Sequence, residues 1–275
     1  MAIAHNAAMT IACIEGRPAT ADELRALALA GCGHFSSMQV RRRAVQGLDL
    51  HLRRLKAGNR ELFDAGLDDA RVRGAILAAL DAAGVDDASV RVTAFAPGFD
   101  PSRPDRPQAV ELLVSVNPPR QADPKPVRVK TFAFQRPLPQ VKHVGLLPQF
   151  HYRRRALREG ADDALFVDAR GRISEGAVWN IGFWDGHQVV WPQAEALRGT
   201  TERLLQAGLD EAGVPQRHAP VEARALGGFR AAFAANANGI WPVAGIDETV
   251  LRPDPALMGL LSRALERQPW RPLAG

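Results

Sequence analysis

The stretch of sequence that decides the fold runs from residue 141 to residue 204. It begins VKHVGLLPQFHYRRRALREGADDALFVDARGRISEGAVWNIGFW (141–184) and closes with ALRGTTERL (196–204). Three groups within it can carry chemistry together: the amine of Lys142, the carboxylate of Glu175 and the run Gly199-Thr200-Thr201.

Helix and strand signals alternate along this stretch. Pro148 stands where a helix can start, and Gly160 stands where it can stop. The apolar run ALFV (164–167) predicts a strand, and IGFW and QVVW predict a hairpin with a tight turn at Asp185-Gly186. The run Gly199-Thr200-Thr201 then opens a further helix, so the threonines are expected at a helix N-terminus.

Each of the three groups offers something that pyridoxal 5′-phosphate requires. A lysine amine forms a Schiff base with an aldehyde, and a carboxylate keeps a pyridinium nitrogen protonated, so that the ring accepts electrons. A Gly-Thr-Thr run at a helix N-terminus offers N–H groups, hydroxyls and a favourable dipole to a phosphate. Because lysine, glutamate and Gly-Thr pairs are common, their spacing alone does not establish this cofactor.

The order of these residues resembles the class IV aminotransferases, the pyridoxal-phosphate enzymes of fold type IV. This family includes branched-chain and D-amino-acid aminotransferases and 4-amino-4-deoxychorismate lyase. Its pattern is a lysine, then E-G/x-x-x-N-I/L-F, then L-x-G-I/T-T-R. Here Glu175 follows Lys142 by 33 positions, and Asn180-Ile181 and Leu197-Arg198-Gly199-Thr200-Thr201 come after it. The pair Lys142-His143 is most similar to the lyase branch.

The resemblance implies an α/β chain of fold type IV, with α+β structure in two domains. A smaller N-terminal domain is expected over residues 1–120 and a larger, cofactor-binding C-terminal domain over 121–275, with the site between them. The segment NPPRQADPKP (117–126), rich in proline and charge, is the best candidate for the linker. A homodimer is also implied.

The resemblance assigns roles to the candidate site residues. Lys142 is the catalytic residue and holds the cofactor covalently, while Glu175 faces the ring nitrogen. The other cofactor-binding residues that it implies are Arg54, Asn180, Thr200, Thr201 and Asn236. Among these, the arginine and the two threonines are expected to anchor the phosphate.

Two stretches in the first 120 residues carry the rest of the resemblance. Asp49 is predicted to cap a helix that ends at Gly66, and this helix contains the family motif H-x-x-R-L as His51-Leu-Arg-Arg54-Leu55. Judged by residue type alone, Arg54 would be a surface arginine. HFSSMQV (34–40) is predicted to be a strand of the substrate pocket, with Ser36, Ser37 and Gln39 as candidates. Gln39 stands where the family often has arginine, so a carboxylate-binding arginine does not carry over.

Composition excludes several classes of protein. The 275 residues are 46% hydrophobic and 24% charged, which is an ordinary globular balance. The cysteines and histidines lack metal-ligand spacing, so no metal is expected. The net charge of +5 could suit nucleic acid, but the arginine runs have no interleaved aromatics, so no nucleic-acid partner is expected. We also expect no membrane partner, no signal peptide and a cytoplasmic protein.

Three functions stay open on the sequence. The first is transfer of an amino group between an amino acid and a 2-oxo acid. The second is elimination of pyruvate from 4-amino-4-deoxychorismate, which gives 4-aminobenzoate; Lys142-His143 favours it and Gln39 opposes it. Among aminotransferases, a branched-chain enzyme is opposed by Leu147, which stands where those enzymes have a tyrosine that contacts the ring hydroxyl. The third, a non-catalytic binding protein, is opposed by the presence of both Lys142 and Glu175.

Overall fold

The computed structural model of the protein describes residues 11–274. The first ten residues, on which the expectation of no signal peptide largely depends, lie outside the described part. The strands, numbered in chain order, are β1 Ile11–Ile14, β2 Arg17–Pro18, β3 Gly33–Arg41, β4 Ala44–Gln46, β5 Ala88–Phe95, β6 Glu111–Asn117, β7 Val127–Ala133, β8 Asp163–Val167, β9 Ile173–Gly176, β10 Asn180–Trp184, β11 Val189–Pro192, β12 Gln216–Ala219, β13 Ala231–Asn236, β14 Gly239–Ile246, β15 Thr249–Val250 and β16 Trp270–Pro272. The helices are α1 Ala21–Ala30, α2 Leu48–Phe63, α3 Asp69–Ala83, α4 Leu147–Arg158, α5 Thr200–Glu211 and α6 Pro255–Glu266, with a 3-10 turn at Leu226–Gly228.

The chain forms two compact units, and neither is one continuous segment. The first unit contains the described residues up to Arg120, the segment Val141–Gly145 and the described residues from Trp270 onward. The second contains Gln121–Gln140 and Leu146–Pro269. The predicted division into 1–120 and 121–275 is continuous, so it assigns the Lys142 segment and the C-terminal strand differently.

The first unit is built on an antiparallel sheet whose described strands follow the order β16-β4-β3-β5-β6-β1-β2. Helix α2 packs on β3, and α3 packs on β6 and β1. Side chains alternate across β5, so Val90 and Val92 are buried under the helices while Ser89 and Arg91 lie on the other face and are partly exposed. The polar face of the sheet, the side away from α2 and α3, carries these two residues, while the same side also buries Phe95 against Ile14 and Leu113.

The second unit is built on a mixed sheet whose described strands follow the order β12-β11-β10-β13-β14-β7-β8-β9, with β15 paired to β14. The pairs β11-β12, β14-β7 and β7-β8 are parallel. Helices α5 and α6 cover one face over a core that includes Trp191, Leu205, Phe233 and Leu261. Helix α4 packs on β7 and β8. This arrangement places the start of α5 beside the end of β13.

The predicted elements of the decisive stretch are confirmed, with one exception. Helix α4 has Pro148 in its first turn, β8 contains residues 164–167, and α5 begins at Thr200. The hairpin of β10 and β11 forms and its turn contains the predicted Asp185-Gly186, but the turn is longer than predicted and extends to Gln188. The loop has four residues because the Asp185 carboxylate accepts hydrogen bonds from the next amides, those of His187 and Gln188.

The predicted cap of the helix that carries Arg54 is also wrong. Helix α2 follows Gly47, which has a left-handed backbone with φ of 63° and offers no side-chain cap. Asp49 therefore lies inside the first turn, where it pairs with Arg53 at 2.7 Å. The helix ends at Phe63, ahead of the predicted Gly66, because Asp64 takes a left-handed conformation and closes it.

The part of the chain that the structure describes lacks two features. None of its helices combines the length and the apolar character that crossing a bilayer requires. Residues 11–274 also contain no group of three or more His, Cys, Asp or Glu side chains placed to hold a metal ion.

Candidate active site

The candidate lysine lies in the segment Val141–Gly145 of the first unit, which runs alongside β3. The Phe35 amide donates a hydrogen bond to the Lys142 carbonyl at 2.8 Å, and the Val144 amide donates to the Gly33 carbonyl at 2.9 Å. The Lys142 Nζ lies 4.9 Å from the centroid of the Phe35 ring. These two hydrogen bonds flank His143 and fix the backbone that directly follows the Lys142 Cα to β3. This restricts where the amine can lie, which suits a covalent attachment point.

Lys130, in β7, is the lysine nearest to Lys142 in the sequence, and its surroundings differ. Its amine pairs with the Glu159 carboxylate at the surface of the second unit. Hydrogen bonding to that carboxylate raises the pKa of Lys130. An ammonium stabilised in this way is a poor nucleophile, so Lys142 stays the candidate.

A buried histidine joins two of the predicted residues. His51 and Arg54 are three residues apart on α2 and face β3, where Ser36 Oγ lies 2.7 Å from His51 Nδ1. Arg54 Nη1 donates to Ser36 Oγ at 3.5 Å. Burial, helped by the charges of Arg54 and Lys142, lowers the pKa of His51 to about 3. A neutral imidazole beside two cations favours an anion at this position.

The three residues predicted to line the substrate pocket do not lie together. Successive side chains of a strand point to opposite faces, so Ser36 faces α2 while Ser37 and Gln39 face the polar side of the sheet. The structure brings Ser36 to Arg54 instead. Sequence reasoning missed His51 as a site residue, although the H-x-x-R-L motif contains it.

Arg91 shares the polar face with Ser37, its direct partner across β3 and β5. Its guanidinium carbon lies 3.6 Å from the centroid of the Phe35 ring, and its Nε donates to Thr93 Oγ1 at 3.2 Å. The Arg91 guanidinium carbon and the Lys142 Nζ both lie close to the Phe35 ring, so the two cations are near neighbours. Burial lowers the pKa of Arg91, so this cation would gain from an anionic partner.

Gln39 is engaged within the sheet. Its Nε2 donates to Ser89 Oγ at 3.1 Å, and its Oε1 accepts from the Arg120 amide at 3.0 Å. Arg91, not Gln39, is therefore the residue of this face suited to a carboxylate. Sequence reasoning missed Arg91. The signal for it was a charged residue between the buried valines of SVRVTAF.

In the second unit the candidate carboxylate lies on a buried strand. Glu175 belongs to β9, whose four residues are all buried, and its side chain is only 8% exposed. The Nη1 atom of Arg136, from the segment that follows β7, lies 4.0 Å from Glu175 Oε2. Burial lowers the pKa of Arg136, and Glu175 opposes this fall. Sequence reasoning did not identify Arg136.

The two threonines at the start of α5 differ in their hydrogen bonding. Thr201 Oγ1 donates to the Asn236 carbonyl at 2.8 Å, which ties α5 to the end of β13. Thr200 Oγ1 is buried and has no hydrogen-bond partner among the residues that the structure describes. The first amides of a helix also lack intrahelical acceptors. A buried donor at such a place calls for an acceptor that the described residues do not supply.

Two asparagines shape the backbone around these threonines. Asn180 Nδ2 donates to the Leu197 carbonyl at 2.7 Å, and Asn180 Oδ1 would lie 2.1 Å from a Cβ added to Gly199. A side chain at residue 199 would therefore displace the Asn180 amide from its hydrogen bond to Leu197. The Oδ1 atom of Asn236 accepts from the Asn238 amide at 2.8 Å. Both asparagines act on the backbone next to the threonines.

An ion pair between the partly exposed Arg198 and the buried Glu202 supports the same helix. Glu202 Oε2 accepts from the Gly199 amide at 3.3 Å, and Arg198 Nη1 donates to Glu202 Oε1 at 3.2 Å. Burial raises the pKa of Glu202, and Arg198 opposes this rise. The guanidinium thus offsets a negative charge at the helix end where an anion would bind. Sequence reasoning did not identify either residue.

The protein-family model for amino-transferase class IV matches residues 33–246. The search among curated proteins found no match. Many solved structures match. One is a branched-chain aminotransferase from the archaeon Thermoproteus uzoniensis with norvaline, at 20% identity and a TM-score of 0.81, covering 93% of this chain and 94% of that one.

Two further structures show the range of relatives. A putative 4-amino-4-deoxychorismate lyase from Legionella pneumophila is 19% identical, with a TM-score of 0.79 and coverage of 90% and 94%. A hypothetical aminotransferase from Mycobacterium tuberculosis in its PLP-bound form is 20% identical, with a TM-score of 0.77 and coverage of 94% and 98%. At this identity the structures establish the fold alone, while the family model covers well over half of the sequence. The chain therefore belongs to the class IV aminotransferase family and has its mixed α/β fold type IV and its cofactor, pyridoxal phosphate.

Proposed function

We propose that the protein is an aminotransferase that transfers an amino group between an amino acid and a 2-oxo acid. The observation that carries this proposal is the setting of the Lys142 amine in the first unit. Its charge and that of Arg54 both act on the buried His51, which with Ser36 and Arg54 forms an anion-favouring group, and it shares the Phe35 ring with Arg91. Two separate cations beside one amine suit the phosphate of the cofactor and the carboxylate of an amino acid.

The residues of the second unit fit the same cofactor. The buried Thr200 hydroxyl lacks an acceptor among the described residues, and a phosphate oxygen is a strong one. Glu175 is a buried carboxylate, which suits a protonated ring nitrogen. When bound, pyridoxal phosphate supplies an aldehyde that receives the amino group and a ring that accepts electrons from Cα.

Each residue then has a definite task. The Lys142 amine would hold the cofactor covalently and, when free, would move a proton from the substrate Cα to the cofactor. The Glu175 carboxylate holds a proton on the ring nitrogen. The phosphate is held by Arg54, Thr200 and Thr201, and Asn180 and Asn236 position the backbone around it. Arg91 receives the substrate carboxylate.

A second function is supported by a specific feature, the pair Lys142-His143. This pair resembles the lyase branch, and a putative 4-amino-4-deoxychorismate lyase is among the similar structures. The same lysine and glutamate would serve elimination of pyruvate to give 4-aminobenzoate.

The cytoplasmic location and the homodimer expected from the sequence also stay predictions. Light scattering of the purified protein tests whether it is a homodimer.

One experiment separates these functions. The purified protein is mixed with an amino acid carrying ¹⁵N in its amino group and with a 2-oxo acid, and mass spectrometry follows the label. Label in the new amino acid, absent with Lys142→Ala, is the expected result. Pyruvate released from 4-amino-4-deoxychorismate without a 2-oxo acid would instead identify a lyase. No turnover across a broad substrate panel, with cofactor bound, would identify a binding protein.

A further inference from the structure

We propose that Arg136 is a positioning residue that keeps Glu175 ionised, so that the proton between Glu175 and the cofactor ring stays on the ring nitrogen. This inference rests on the proposed function, because it assumes that Glu175 faces that nitrogen. It adds a residue for which neither the sequence motifs nor the family pattern provides a role.

The geometry of the pair is the first support. Arg136 follows β7 and Glu175 lies in β9, both in the second unit, and their side chains are only 5% and 8% exposed. Charged side chains are almost never buried to this extent unless they are paired. The separation of 4.0 Å between Nη1 and Oε2 exceeds a direct hydrogen bond. Arg136 therefore acts on Glu175 mainly through its charge.

The cost of burying a carboxylate is the second support. A carboxylate removed from water tends to take up a proton, and an opposite charge within about 4–6 Å favours the ionised form. Glu202 shows how strong burial is in this unit, because its pKa is raised even though Arg198 donates to it at 3.2 Å. The Arg136 guanidinium interacts with Glu175 strongly enough to oppose the effect of burial on its own pKa.

The consequence concerns where one proton lies. A carboxylate and a pyridine nitrogen that face each other share a proton, and it lies on the nitrogen only if the carboxylate is the weaker base. A guanidinium beside the carboxylate weakens it as a base. The position of this proton sets how strongly the ring accepts electrons.

The test is a direct measurement of the ring nitrogen. Wild type, Arg136→Met and Arg136→Lys are each loaded with pyridoxal phosphate labelled with ¹⁵N in the ring, and NMR records the nitrogen chemical shift at neutral pH. Wild type should show the pyridinium shift, and Arg136→Lys should stay near it because the charge is kept. Arg136→Met should move toward the neutral pyridine shift. Arg136→Gln replaces it if the methionine variant does not fold.

A matched control comes from the hairpin of β8 and β9. Arg172 pairs with Asp168 at 2.6 Å there, outside the site, so Arg172→Met removes an arginine ion pair without touching Glu175 and should keep the wild-type shift. A pyridinium shift that persists in both uncharged Arg136 variants would overturn the proposal. A neutral nitrogen in wild type would overturn it too. Failure of wild type to bind the cofactor would refute the proposed function itself, which the other outcomes leave intact.

Discussion

Replacing Thr200 by valine should raise the stability of the cofactor-free protein and weaken its affinity for pyridoxal phosphate. Thr200 Oγ1 is buried without a partner among the described residues, and burying an unsatisfied hydroxyl costs about 1–3 kcal/mol. Valine has nearly the same shape and no hydroxyl, so the cofactor-free variant should unfold with a free energy higher by about 1 kcal/mol or more. The lost bond to phosphate is charge-assisted and worth about 1.5–3 kcal/mol. The Kd for pyridoxal phosphate should therefore rise about 10- to 100-fold.

Thr201→Val is the matched control, because its hydroxyl is already used. Thr201 Oγ1 donates to the Asn236 carbonyl at 2.8 Å, and a typical hydrogen bond contributes about 1 kcal/mol. The cofactor-free control should therefore lose stability. Its affinity for the cofactor should change less than that of Thr200→Val.

Two measurements decide between these expectations. Urea denaturation of the cofactor-free proteins gives the free energies of unfolding, and titration with pyridoxal phosphate gives the Kd. Titration with pyridoxal, which has no phosphate, should give similar affinities for wild type and Thr200→Val. The reasoning would be refuted if Thr200→Val bound pyridoxal phosphate as tightly as wild type. It would also be refuted if the cofactor-free Thr200→Val protein were less stable than cofactor-free wild type.

Three other changes test the remaining site residues. Arg91→Met should raise the KM for the amino acid about 10- to 100-fold without changing cofactor affinity, because a charge-assisted contact to carboxylate is lost; unchanged steady-state KM would exclude Arg91. The pKa of His51, lowered to about 3, means that between about pH 3 and 6.5 the unfolded chain binds a proton that the native protein does not. Stability should therefore fall as pH drops through this range, by at most about 1.4 kcal/mol per pH unit from His51; denaturation at several pH values should show a smaller slope for His51→Gln, and equal slopes would contradict this. Glu175→Gln should keep the fold and the cofactor but slow exchange of the substrate α-proton about 100- to 1000-fold; NMR in heavy water measures that rate, and a wild-type rate would remove Glu175 from the site.

The elements that the sequence predicts well are those with local causes. Proline in the first turn of α4 and Gly199-Thr200-Thr201 at the start of α5 act within a few residues, so their effects do not depend on distant parts of the chain. The predicted start of α2 is wrong because Asp49 has the residue type of a helix cap, whereas the helix follows Gly47, which has a left-handed backbone. Strand β16 pairs with β4 in the first unit, a contact between the far end of the chain and its beginning that no local pattern contains.

The site residues divide in the same way. Lys142, Glu175 and the threonines could be proposed because they stand in a recognisable order along one stretch. Arg91 depends on the register of β3 against β5, which sets it beside Phe35. His51 and Arg136 depend on side-chain contacts with Ser36 and Glu175. Such contacts are fixed by tertiary packing, so the spacing of residues could not predict them.

The central claim is that Lys142 is the residue that bonds to the cofactor, and reduction with borohydride tests it most directly. Borohydride converts a lysine Schiff base into a stable secondary amine, and peptide mass mapping then locates the pyridoxyl group. The chain has four lysines, Lys56, Lys125, Lys130 and Lys142, so the assignment is unambiguous. We predict stoichiometric label on Lys142 and none elsewhere. Label on Lys125 or Lys130, or no label on a protein that retains its cofactor, would contradict this account.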